Sequence, residues 1–451
     1  MKYSDPSPET RTARVREVAD SIQYGHTASA VSREDGPRFL RITDIQNGAV
    51  DWERVPSCDI PQEDIPKYRL FEGDLVFART GATTGKSFLI RDCPDAVFAS
   101  YLIRVRASKD VDPRYLAFFF QSPDYWRQIE QGKRGIGQPN VNGRTLGEIQ
   151  LPLPPLDQQQ CIVAEIEKQF TRLDAGVTSL KRVQTTLRRY RASVLKAACE
   201  GHLVPTEAEL AQEENRSYET GEQLLQRILK ERREKWSRKG KYKEPAAPDV
   251  GDLPELPDGW VWASAEQITT VITDGEHITP RRSDSGVLLL SARNILNGKL
   301  ALEDVDYVPQ SEYERIAKRL AIEPGDVLLS CSGTVGRSTV APKELTFTLV
   351  RSVAVLKPLL GMGKYLSLTL RSPILQQQIL RKKTQTAQAN IFQGKIKTLC
   401  VPLPPVAEQQ RIVLEVERRL SVIEELEAVT STELQRAIRL RESILRKAFA
   451  A

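Results

Sequence analysis

The sequence predicts a mixed α+β chain, with two globular α/β domains joined by two long antiparallel coiled-coil helices and an internal pseudo-two-fold duplication. Three observations lead there. A twenty-residue segment occurs twice, as LPLPPLDQQQCIVAEIEKQF from Leu151 to Phe170 and VPLPPVAEQQRIVLEVERRL from Val401 to Leu420, at an offset of 250 residues. Each copy runs into a proline-free stretch with apolar residues at every seventh position. Upstream of each lies a region of roughly 150 residues made of short apolar runs punctuated by Gly, Pro and Asn. The expected segments are 1–150 and 253–400 for the globular domains, 151–202 and 401–451 for the helical regions, and 203–252 for a basic linker.

In the first globular domain Phe39–Ile45, Asp74–Ala78 and Phe98–Val105 read as strands, and Tyr115–Gln121 and Trp126–Gln131 as helical. In the second, Val287–Leu290, Asp326–Leu329 and Ser352–Leu356 read as strands and Lys364–Arg381 as helical. The repeat reaches into both domains. Ile45, Asn47 and Gly48 match Ile295, Asn297 and Gly298 at the same offset, as Gln138 and Asn140 match Gln388 and Asn390. GDLVFARTGATTGKS from Gly73 resembles GDVLLSCSGTVGRS from Gly325 at a shifted offset. Between these matches the halves diverge, as a shared scaffold with two specificities requires.

In the first helical region Ile166, Leu173, Leu180, Leu187 and Val194 recur every seven residues. Phe170 and Val177 hold the alternate position until Gln184 and Arg191 interrupt it. Val416, Ile423, Ala437 and Ile444 form the second seam, with Thr430 between them. A heptad seam suits coiled-coil pairing, and about 40 residues of helix span about 60 Å. The alternative is a pair of ordinary amphipathic core helices. The first run ends in CEGHLVP, whereas the second stops at Phe449–Ala451, so its end is expected to be the looser. Between the halves, Glu222–Lys243 reads as a short basic helix and tail, and its Arg227–Lys243 portion holds nine basic and two acidic residues. It reads either as a solvated linker or as a strip for phosphates or a partner.

Net charge is +6, which permits a polyanionic partner without requiring one. No run of about eighteen apolar residues predicts a membrane span, and MKYSDPSPETRTARVREVAD lacks the apolar core of a secretory signal. The six cysteines form no C-x-x-C pair, which fits free thiols in a reducing cytoplasm, and three histidines are too few for a His-rich metal cluster. RTGATTGKS falls one residue short of the phosphate-cradling G-x-x-x-x-G-K-[ST] loop, and the second copy is shorter still. The two loops nevertheless keep hydroxyls and a cation that suit phosphate oxygens: Thr83, Thr84, Lys86 and Ser87, then Ser332, Thr334, Arg337 and Ser338. A tight structural turn is the competing reading. No N-P-P-[YF], H-E-x-x-H, G-x-S-x-G or complete dinucleotide motif is present, so nothing marks the chain as an enzyme.

The duplicated [LV]-P-[LIV]-P-P-[LV]-x-x-Q-x-x-I-[VA]-x-x-[IV] motif closely resembles the specificity (S) subunit of type I restriction–modification systems. So do R-T-G-A-T-x-G-K-S, I-x-N-G, the LPELPDGWVWASAEQI opening and the LLQRILKERREKW helix, so the resemblance covers essentially the whole chain. It implies a non-catalytic cytoplasmic subunit. Its two target recognition domains would each read one half of a bipartite double-stranded DNA site. Its helices would fix the spacer and dock two modification (methyltransferase) subunits, and two ATP-dependent restriction subunits would complete the complex. S-adenosylmethionine, ATP and Mg²⁺ would then belong to those partners, and this chain would bind no cofactor or metal.

On that resemblance the candidate DNA contacts are the loop residues above with Arg79 and Thr80. Next come Gln138, Asn140, Asn142, Gln388 and Asn390, because Asn and Gln can read adenine edges; turn structure is the alternative. Arg41, Arg293 and Asn294 complete the set. The second loop carries Cys331 and Arg337 where the first has Arg79 and Lys86, which puts a shared role for the loop arginine in doubt. Gln158, Gln159, Gln160, Glu408, Gln409 and Gln410 are candidates either for gripping the methyltransferase partner or for capping the helix. Two other classes compete: a coiled-coil scaffold that does not read DNA, and an enzyme with a hidden nuclease or methyltransferase site.

Overall fold

The computed structural model describes residues 10–32, 36–46, 48–132, 141–236, 241–384 and 389–450. It divides into two compact units, residues 1–182 with 430–451 and residues 183–429. Each unit contains one globular domain and segments of both long helices.

In the first unit Ala19–Tyr24, Leu102–Ala107, Leu75–Ala78 and Ser87–Leu89 form an antiparallel sheet in that order. A second sheet orders Ala96–Phe98, Arg38–Leu40, Ser57–Cys58 and Ala30–Val31, its first pair parallel. A ribbon of Arg11–Arg14 against Gln150–Leu153 joins the ends of the domain. The strand Leu75–Ala78 is buried throughout because both its faces are covered. Leu75 and Phe77 pack with Tyr115, Phe119 and Tyr125, while Val76 packs with Leu40, Ile90 and Phe98. Two-sided burial is what a continuous short apolar run signals.

The second unit repeats the plan. Thr269–Asp274, Val353–Pro358, Val327–Ser330 and Ser338–Val340 follow the same order. Val287–Leu290 pairs in parallel with Phe347–Leu349. The ribbon reproduces the register: Arg11 faces Leu153 in one and Val261 faces Leu403 in the other, each 250 residues on. Side chains repeat too. Tyr115 donates to the Pro152 carbonyl (2.7 Å) and Tyr365 to that of Pro402 (2.9 Å).

The long helices are Leu156–Cys199 and Val406–Ala448. They pair antiparallel within each unit: Asp174 meets Arg441 at 2.9 Å in the first, and Glu427 meets Arg191 at 3.0 Å in the second. Val163, Ile166, Phe170 and Ile444 are buried in one, and Leu187, Val194, Ile412, Val416 and Ile423 in the other. Leu173, Val177, Leu180 and Ala437 are only half-buried, as expected where two helices alone cover a narrow seam.

Several elements differ from the sequence expectations. The strand expected over Phe39–Ile45 ends at Leu40, where Asp44 accepts from the Arg41 amide and guanidinium and winds the 3₁₀ turn Ile42–Asp44. Phe98–Val105 is two strands, split by a turn at Ser100–Tyr101. Lys364–Arg381 is two helices, Gly363–Leu370 and Pro373–Lys382, because Pro373 can only begin a helix and Ser372 caps it. The second long helix does not end loosely: Phe449 is buried, 5.1 Å from the Tyr115 ring and 5.5 Å from that of Phe119. The stretch 203–252 is not wholly linker: it carries the unexpected helix Glu207–Glu213 and, where a short basic helix is expected, Gly221–Glu234. Leu224, Leu225 and Ile228 of the latter join the core with Ala263, Ile268 and Leu399. The strands Gln150–Leu153 and Cys400–Leu403 run across the expected boundaries at 150 and 400.

Candidate nucleic-acid interface

The two glycine loops close the same way. Gly85 N donates to the Ala78 carbonyl (2.8 Å) and Ala78 N to that of Lys86 (2.9 Å). In the second unit Gly336 N donates to Ser330 O and Ser330 N to Arg337 O, both at 2.9 Å. Gly85 and Gly336 adopt φ of +88° and +96°, which glycine tolerates best. A Cβ on Gly336 would also stand 2.9 Å from Gln376. Different side chains satisfy the two glycine carbonyls: the Tyr125 hydroxyl donates to Gly85 (2.6 Å) and the Gln376 amide to Gly336 (2.8 Å). The turn is therefore structural, and it presents a cation at its exit. Lys86 is exposed, Arg337 half-buried, and among the described residues neither is ion-paired.

The hydroxyls divide. Thr83, Ser87 and Ser332 are half-buried and Thr334 exposed. Thr84 and Ser338 are interior: the Thr84 hydroxyl donates to Gly81 O (2.6 Å) and that of Ser338 to Ser367 O (2.9 Å). Asn294 is buried as well, its amide donating to the Ala301 and Asp304 carbonyls at 3.0 and 2.8 Å. Arg293 is half exposed and paired with Asp306 (3.1 Å). Asn142 is exposed, and its side chain caps the helix Gly143–Glu148. Asn390 bridges to Ser332. Gln138, Asn140 and Gln388 lie outside the described residues. Thr83, Lys86 and Ser87 line a cleft of about 1260 Å³ with Arg91 and Arg441. Glu167 and Asp174 line it too, so its walls carry both signs of charge.

A second feature lies beside each loop, a platform of backbone bonds shared by the two units. Arg79 N donates to Tyr101 O (3.0 Å) and Val141 N to Arg79 O (3.0 Å). The counterparts are Cys331 N to Ser352 O (2.8 Å) and Ile391 N to Cys331 O (2.9 Å). His26 N donates to Phe98 O (2.8 Å), as Glu276 N does to Leu349 O (2.7 Å). Gly25 and Gly275 allow this approach, since a Cβ on either would stand within 2.3–2.7 Å of the facing carbonyls. Arg79 and Thr80 are half-buried at the platform edge.

The glutamine-rich helix starts are mostly interior. Gln159 accepts from Asp112 N (3.0 Å) and donates to Pro154 O (2.9 Å); Gln409 donates to Pro404 O (2.9 Å). Glu408 is buried, accepting from the Glu207 amide (2.8 Å) and the Trp260 indole (3.0 Å). Gln158 is half-buried, and Gln160 and Gln410 are exposed. Burial pushes the Glu408 carboxyl above its ordinary value. Burial acts on Glu207 in the same sense, but Arg411 and Arg216, each 2.7 Å away, hold it below.

A family model described as Type I restriction modification DNA specificity domain matches residues 14–182 and 292–435. The chain belongs to that family. It is 23% identical over 432 residues to the EcoBI specificity subunit of Escherichia coli, covering 93% of this chain and 80% of that one. The EcoKI specificity subunit of E. coli strain K12 is likewise 23% identical, over 92% of this chain and 82% of its own. A chain solved in work on complex assembly and conformational transition of the type I R-M system shares the fold, at TM-score 0.64 and 21% identity, over 99% of each chain.

Other chemistry in this specificity chain is subdued. Burial pushes the Cys199 and Cys331 thiols up to about 12 and those of Cys58 and Cys93 to about 11, which makes them poor nucleophiles. No group of His, Cys, Asp and Glu that could hold a metal occurs among the described residues, and no helix there is long and apolar enough to cross a membrane. Sequence patterning did not single out Tyr24, Tyr101 and Phe392, which the fold leaves 41%, 63% and 60% exposed. Phe392, two residues past Asn390, sat beside a repeated motif, whereas Tyr24 and Tyr101 carried no such signal.

Proposed function

We propose that this chain is the non-catalytic DNA-reading subunit of a type I restriction–modification complex, in which each globular domain reads one half of a bipartite site. The observation that carries this is the duplication itself. Two domains share topology, register and the backbone bonds around the glycine loops, yet carry different side chains there, and each feeds into one of two paired helices. Phosphate contacts position such a domain on the duplex, and base-edge contacts specify the sequence. Lys86 and Arg337 suit the first task. The helices act as the ruler for the unread spacer, and with the exposed Gln160 and Gln410 they offer surface to two methyltransferase subunits. S-adenosylmethionine, ATP and Mg²⁺ serve the methyltransferase and restriction subunits.

Single-molecule methylome sequencing of cells with and without the chain tests this reading. A bipartite methylated motif that vanishes on deletion is expected. A methylome unchanged by deletion, with the modification subunits present, would reduce the chain to a scaffold.

A further inference from the structure

The side chains standing on the shared platform differ between the units at Tyr24 and Asp274, Arg79 and Cys331, and Tyr101 and Ser352. In the first, the Arg79 guanidinium lies 5.0 Å from the Tyr24 ring centroid, and the Tyr24 hydroxyl accepts from Gly143 N (2.8 Å). Arg79 Nε is buried without a hydrogen-bond partner, and among the described residues no carboxylate pairs with this guanidinium. Tyr101, whose carbonyl anchors Arg79 N, is 63% exposed. In the second unit the arginine's place is taken by Cys331, which is buried. Asp274 stands where Tyr24 does and accepts from the Gln393 amide (2.8 Å). Phe392, beside Gln393, is 60% exposed.

A half-buried guanidinium held by an aromatic face, whose terminal nitrogens have no carboxylate or hydrogen-bond partner among the described residues, can offer them to an outside acceptor. The planar fork matches O6 and N7 of guanine in the major groove. An exposed tyrosine or phenylalanine on a fixed backbone can press on a base edge or a thymine methyl. Divergent side chains on a shared backbone are what separates two readers built from one fold.

We propose that this platform is the base-reading surface of each half: Arg79, positioned by Tyr24, contacts a guanine in one half-site with Tyr101 beside it, and Phe392 reads in the other. The proposal rests on the DNA-reading function given above.

The test uses the full chain with its modification subunits in cells, and methylome motifs for the parent, Arg79→Ala, Tyr101→Ala and Phe392→Ala. Arg79→Ala should relax a single guanine position, with discrimination there falling on the order of tenfold to a hundredfold. Tyr101→Ala should alter the same half-site only, and Phe392→Ala only the other. Both aromatic side chains are exposed, so these two variants keep the test open if Arg79→Ala fails to fold. Unaltered motifs in the two aromatic variants would overturn the proposal. So would uniformly weaker methylation at an unchanged motif in Arg79→Ala, the mark of a phosphate contact. Loss of the underlying function looks different, because the parent itself would then support no bipartite motif.

Discussion

At the residue scale the start of the second long helix is held by charge. Glu207 is buried between Arg216 and Arg411, each about one-third exposed, and its amide feeds the interior Glu408. The two acids pull in opposite directions with pH. Glu207, depressed by its arginines, stabilises the fold above the unfolded carboxylate value of about 4.3, and that contribution is lost as pH falls through its lower folded value. Glu408, raised by burial, penalises the fold when ionised and releases that penalty as pH falls through its raised value. Glu207→Gln should cost ~1–3 kcal/mol at neutral pH, discounted for the exposure of its partners. The gap to the parent should close as pH drops below about 4. Urea unfolding at pH 7 and at about pH 3 checks this; an equal gap at both would remove the ion pairs from the account. None of this was visible in the sequence, where Glu408 sat in a run of helix-starting polar residues. Gln159 and Gln409 share that fate. A polar side chain one helical turn past Pro-Pro reads the same whether it faces solvent or its own chain's carbonyls, and only burial separates the two.

At the element scale the long helices were the most legible part. Forty-odd residues without proline and with a heptad seam leave few alternatives. The strands were less legible because they are short and buried on both faces, so alternation is lost: Leu75–Ala78 shows no outward position. The break at Ser100–Tyr101 is a tertiary choice, a turn that brings Leu102 back into the sheet, whereas that at Ser372–Pro373 is local, a serine cap and a proline that start a new helix. The glycine loops were legible as repeated turns. Their division into interior and exposed hydroxyls was not, since Thr84 and Thr83 are adjacent and differ only in which way the turn points them. The helices also carry a mechanical expectation. A Cβ added at Gly176 would meet nothing within 4 Å, and Glu427 lies on the facing helix, half exposed toward Arg191 in its own unit. Inserting four residues near either adds about one turn, or about 5.4 Å. The methylated motif should then keep both half-sites and change its spacer. Altered half-sites with an unaltered spacer would end the ruler interpretation.

At the scale of the whole molecule, the duplication makes the two globular domains interchangeable parts. Ala19–Tyr24 and Thr269–Asp274 begin at equivalent positions, and the ribbons on either side keep one register at an offset of 250 residues. The helices Gly143–Glu148 and Gln393–Lys397 close the two blocks at that same offset. A graft of residues 19–147 in place of 269–397 therefore meets backbone that already fits it, and it leaves untouched the ribbon against which Gly221–Glu234 packs. Leu75, Phe77, Ile103 and Val105 travel with Tyr115, Phe119 and Tyr125, while the contacts of Phe118 with Phe170 and of Phe119 with Phe449 are replaced by new ones against the second unit's helix pair. If specificity resides in the platform and its loops, and not in the helices, the grafted chain should direct methylation to sites holding two copies of one half-site. The other half-site should disappear from the motif, and the spacer should stay as it was because both long helices are unchanged. Methylome sequencing of cells carrying the graft decides it. Retention of the second half-site after its domain has been replaced would move base reading out of the globular domains and into the helical regions.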